Sequence, residues 1–149
     1  MDNDVAVFKS WLDAYGQAWE NRNPEAASAL FTENGTYQIT PFREPMCGRK
    51  AILEYWSEVA RTEENVRFGY DILVANAELN IARWTASFVR VPPGLQTQLD
   101  GIFLISLDGE GRCKIITGMV AQTAKMTMVN RRRPDSTAGL FQRPVGTRC

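Results

Sequence analysis

The sequence predicts an α+β domain in which three amino-terminal helices pack on a strongly curved antiparallel sheet. Three observations lead there. Apolar residues recur at helical spacing through the first part of the chain, and extended β-rich runs separated by turn residues fill the next. Helices come first and strands after, the order of an α+β fold rather than of alternating βαβ units. A length of 149 residues accommodates one such domain with a substantial core.

Val5, Phe8, Leu12, Tyr15 and Trp19 lie three or four positions apart, the stripe of an amphipathic helix that ends near "ENRN". Asn23-Pro24 then offers an N-cap followed by proline at the first helical position, which starts a short second helix running toward Leu30 and Phe31. "TENG" reads as a turn and "TYQIT" as a short strand. The loop "PFREPMCG" leads into a third helix with Ile52, Tyr55, Trp56 and Val59 on one face. The runs "VRFGYDILVANA", "NIARWTASFVRV" and "LQTQLDGIFLISL" follow as strands, with "PPG" and "DGEG" supplying turns. A fourth run begins at "RCKIIT". A sheet that curls over helices leaves a cone-shaped hollow, and concave apolar hollows are the usual homes of small ligands.

Composition removes several function classes. There is no histidine, so the commonest general base and metal ligand is missing. No cysteine pair or carboxylate cluster has metal-ligand spacing, and neither a metal nor a cofactor is expected. Three cysteines at unrelated spacings do not make a disulfide framework. The start, "MDNDVAVFKS", lacks the basic and then apolar pattern of a secretory signal. No apolar run approaches a membrane span. The expected setting is therefore the cytoplasm, with no membrane partner.

The residues "WLDAYGQAWENRNPEAASALFTENGTYQITPF", then "GRKAILEYW", "ARWTASFVR" and "LDGIFLISLDGEGRC", together resemble the SnoaL-like branch of the NTF2-like (nuclear transport factor 2) superfamily over residues 4–116. The resemblance implies the cone-shaped, cystatin-like fold, a small apolar ligand and a homodimer. Its relatives include ketosteroid isomerase, limonene-epoxide hydrolase and polyketide cyclases. Isomerisation, cyclisation or hydration of an apolar oxygenated substrate are thus the reaction classes it implies. The alternative is a non-catalytic ligand-binding or dimerisation module.

Carried over residue by residue, the match is partial. Tyr15 lies where ketosteroid isomerase has its oxyanion-hole tyrosine, and Asp100 where that enzyme keeps a protonated aspartic acid. The position of the general base, just ahead of a proline, is Thr40. Against limonene-epoxide hydrolase, Tyr37-Gln38 matches, Ile39 replaces the water-holding asparagine, and Arg83 is a loose echo of its arginine.

Tyr15 and Asp100 are accordingly the expected catalytic pair. An aspartate within "LDGIFLISL" is expensive to bury unless protonated or hydrogen-bonded, and two donors converging on one oxygen form an oxyanion hole. The competing readings make Tyr15 a core tyrosine and turn Asp100 outward to water. Trp19, Tyr37 and Trp84 are the expected ligand-binding wall, and Arg83 a strand-face charge.

The ending of the chain is unlike the rest. From Thr117 onward there are six Lys or Arg and one Asp, leaving 11 basic and 16 acidic residues before it, and all four tryptophans precede it. The expected division is a SnoaL-like domain over 1–116 and an atypical, largely disordered basic tail over 117–149. "NRRRPD" alone does not make a nucleic-acid site without aromatic interleaving, and nucleic acid is not an expected partner. Back-translation offers a cause. Met119 before Val120 forces TGG, tryptophan, in the reading one base later, and Met126 before Thr127 forces TGA, a stop. A frameshift near residues 113–117 would replace an aromatic final strand with out-of-frame translation.

Overall fold

A computed structural model of the chain describes residues 2–126. Its elements are α1 (Asp2–Glu20), α2 (Pro24–Ser28), β1 (Phe31–Gln38), β2 (Met46–Cys47), α3 (Arg49–Thr62), β3 (Glu63–Ala75), β4 (Asn80–Arg90), β5 (Leu95–Leu107) and β6 (Cys113–Met126). The six strands form one sheet in the order β2-β1-β6-β5-β4-β3. The expected α+β architecture is present, with one difference. β1 lies parallel to β6, so the sheet is mixed rather than wholly antiparallel.

The helices follow from local chemistry. Phe8, Trp11, Leu12, Tyr15 and Trp19 of α1 are all buried, which accounts for the long apolar stripe. Asn23 caps α2 by accepting from the Ala26 N–H at 3.1 Å, with Pro24 in the first turn. α3 buries Ile52, Trp56 and Val59 and begins at Gly48, whose φ of 90° suits glycine alone.

Two readings of the sequence need correction. "TENG" is no turn. It lies inside β1, where the register shifts between Phe31 and Thr36. A side chain at Gly35 would sit 2.9 Å from the Cys113 carbonyl oxygen, so glycine admits the irregularity. The ordered sheet also does not stop at residue 116. β6 pairs with β5 as far as Met126, because Ile116, Gly118 and Val120 face the core while Thr117, Met119 and Ala121 face outward. Gly118 is buried against β1, where an added Cβ would lie 2.6 Å from the Ile39 carbonyl oxygen. The basic stretch "NRRRPD" and the rest of 127–149 lie outside the described residues.

Strand parity then divides the sheet. Trp84, Ala86, Phe88 and Arg90 of β4, Gly101, Phe103 and Ile105 of β5, and Phe68 and Tyr70 of β3 face the helices. Their partners Arg83, Thr85, Asp100 and Ile102 face away, in register across β4 and β5.

Candidate functional site

The hollow expected between helices and sheet is lined by aromatic rings that pack on one another. Trp19 is their hub, with centroids 5.6 Å from Trp56, 6.0 Å from Trp84 and 6.2 Å from Phe88. Tyr15 meets Trp11, Trp56, Phe68 and Phe103 at 5.2–5.5 Å. Trp84 stacks on Phe103 at 4.9 Å. Separations of this size are close packing. Two hollows lie elsewhere. One of about 850 Å³ sits between α1 and the turns around Asn76 and Gly109, and one of about 700 Å³ on the outer face of the sheet beside Gly69, Thr85 and Asp100.

The three expected ligand-wall residues, Trp19, Tyr37 and Trp84, face this interior and are buried, as is Tyr15. Asp100 does not join them. Its side chain is 55% exposed on the outer face, with Oδ2 3.4 Å from Arg83 Nη2. The buried acid expected there is therefore corrected to an exposed, ion-paired one. The physical reason is parity: Phe103 and Asp100 are three positions apart on one strand, and an odd separation puts them on opposite faces. Arg83 is the strand-face charge the sequence suggested.

Tyr15 finds a different partner. Its hydroxyl lies 2.9 Å from that of Tyr37, bringing a residue of α1 to one of β1. Burial pushes both phenols well above their usual value, so each stays protonated. One hydroxyl proton bridges the pair and the other remains to donate.

The sequence reading missed Glu63. This residue begins β3 at the end of the domain where α1 and β4 finish, and it is buried. Its Oε1 accepts from Trp19 Nε1 at 2.8 Å, and its Oε2 lies 3.8 Å from Arg90 Nη1. Burial raises the carboxyl from 4.5 to about 7, against the opposing pulls of the Trp19 N–H and the Arg90 charge. Its charge also acts on the phenols of Tyr15, Tyr37 and Tyr55. Alternation counted back from Phe68 and Val66 would turn Glu64 inward and Glu63 outward. A bulge reverses this: the register shifts between Glu64 and Arg67, and Asn65 has φ 56°. The one available signal was an acidic pair directly after an apolar helical face.

Among the described residues, the buried side-chain N and O atoms left without a hydrogen-bond partner are Trp56 Nε1, Trp84 Nε1 and Arg90 Nε. All three are donors. Cys113 is a buried free thiol, held in its protonated form by burial. No group of three or more His, Cys, Asp or Glu is arranged to hold a metal ion among the described residues. No helix among them is long and apolar enough to cross a membrane.

The model of the SnoaL-like domain family matches residues 12–115. The fold is shared with the epoxide hydrolase/cyclase-like enzyme SalBIII, which acts in pyran ring formation in the polyether salinomycin. The TM-score is 0.70 at 16% identity, over 81% of this chain and 95% of that one. A Bacillus subtilis protein described as an isomerase is also similar, with a TM-score of 0.71 at 14% identity over 79% and 88% of the two chains. No curated protein sequence matches the chain.

Proposed function

Because the chain belongs to the SnoaL-like family of the NTF2-like superfamily, we propose that it binds a small apolar, oxygenated molecule and rearranges it by proton transfer, as an isomerase or cyclase. One observation carries the reading. Glu63 is a buried carboxyl raised to about 7 whose charge is felt by the hydrogen-bonded phenols of Tyr15 and Tyr37, and a general acid–base is most effective when its pKa lies near the working pH. The chemistry of the epoxide hydrolase/cyclase-like and isomerase relatives supports the same class.

In this scheme ionised Glu63 removes a proton from the substrate and returns it at a second position, while the spare phenolic proton stabilises charge on the substrate oxygen. For a cyclisation, protonated Glu63 gives its proton to the epoxide oxygen as the C–O bond to that oxygen breaks and a hydroxyl of the same substrate attacks the carbon, and the Glu63 carboxylate so formed takes the proton that the hydroxyl loses. The role expected of Asp100 as second donor passes to Tyr37. The test is a pH–rate profile on a panel of apolar epoxides and β,γ-unsaturated ketones. Activity that rises or falls through pH 7 and vanishes in Glu63→Gln supports the scheme, whereas turnover that survives Glu63→Gln rejects it.

A second reading, a non-catalytic ligand-binding or dimerisation module, is favoured by the close-packed rings. The outer face exposes Leu73, Ile115 and Met119, apolar residues suited to cover by a second copy. Sedimentation equilibrium tests the homodimer. A monomer at all concentrations removes it, and a dimer disrupted by Met119→Lys supports it.

A further inference from the structure

We propose that Arg90 recognises an anion and that the ligand of the Glu63 site carries a carboxylate on an apolar body; this rests on the small-molecule reading above. Arg90 is on the inward row of β4, two positions beyond Phe88, and its guanidinium carbon lies 5.1 Å from the Phe88 ring centroid. Its Nε is buried and has no hydrogen-bond partner. The facing carboxyl does not fill that role. Glu63 Oε1 is committed to Trp19 at 2.8 Å, and Oε2 stays at 3.8 Å, outside hydrogen-bonding distance.

A guanidinium is a rigid fork of donors that matches a carboxylate in two parallel hydrogen bonds. Here the fork is held against an aromatic face at the rim, with its side chain 20% exposed. A ligand can therefore reach it without entering the packed rings. A single negative charge suits it better than a dianion, because the Glu63 carboxyl stands on the other side of the same guanidinium.

The anion also has a consequence for Glu63. Once a carboxylate occupies Arg90, the attraction that helped to ionise Glu63 is shared with the newcomer, and above pH 7 Glu63 takes up a proton as the ligand binds.

The probes are 2-naphthoate and its neutral methyl ester, titrated by calorimetry at pH 8 in two buffers of different ionisation enthalpy. Wild type should bind the acid at least about tenfold more tightly than the ester, the size of a charged hydrogen-bond pair, with net proton uptake. Arg90→Gln should bring the two within about twofold, and Arg90→Lys should keep part of the preference. Circular dichroism melting confirms that both variants fold. Equal binding of acid and ester by wild type overturns the Arg90 inference but leaves the apolar site standing, as does a preference that survives in Arg90→Gln. Failure of both probes to bind removes the small-molecule reading together with it.

Discussion

Replacing Glu63 by glutamine isolates the energetic cost of an ionisable group in the core. The carboxyl is raised from 4.5 to about 7 by burial. At about 1.4 kcal/mol per pH unit, the folded state therefore gives up about 3 kcal/mol to ionise it at alkaline pH. The sign follows from proton counts. Between pH 4.5 and 7 the folded chain holds this proton and the unfolded chain does not, so its contribution to stability is full below pH 4.5 and is lost as the pH rises through 7. Glutamine keeps the oxygen that accepts from Trp19 but not the charge, and the value near 7 already contains the attraction to Arg90. Measured against wild type, Glu63→Gln should accordingly gain about 3 kcal/mol between pH 4.5 and pH 8. Urea denaturation of both proteins across this range measures the difference, which should change by up to about 1.4 kcal/mol per pH unit between pH 5 and 7. A difference that does not vary with pH refutes the assignment of Glu63 as the buried titrating group.

Other substitutions test the rest of the interior. Tyr15→Phe and Tyr37→Phe each strand one buried hydroxyl and should cost about 1–3 kcal/mol, while the double variant should cost less than the sum, as a thermodynamic cycle by urea denaturation will read. Gly101→Ala should destabilise by about 1–3 kcal/mol in the same assay, since a Cβ there would collide with the Met119 carbonyl oxygen and lie 2.9 Å from the Trp84 ring. Asp100→Asn should change stability by less than about 1 kcal/mol and leave any turnover intact, its ion pair with Arg83 being exposed; a lost activity would restore the catalytic role expected from the sequence. Sequencing the encoding DNA tests the proposed frameshift, which a stop codon in the later frame ahead of the one forced at Met126 would exclude.

Periodicity carried the architecture. The stripe from Phe8 to Trp19 and the turn residues between the strands specify which segments are helical and which are extended, because local sterics and burial of one face act over a few neighbouring residues. The aromatic lining was legible for the same reason, and Trp19, Tyr37 and Trp84 do face inward. Parity along β5 could even have turned Asp100 outward, had it been counted from Phe103. The chemistry of the site was decided elsewhere. A single extra residue at Asn65 reverses the alternation in β3 and carries Glu63 into the core. The Tyr15–Tyr37 pair joins residues 22 positions apart, and Trp19 reaches Glu63 across 44. Such contacts, and the shift in proton affinity that burial produces, depend on where the chain meets itself in space, and no local pattern of side chains encodes that.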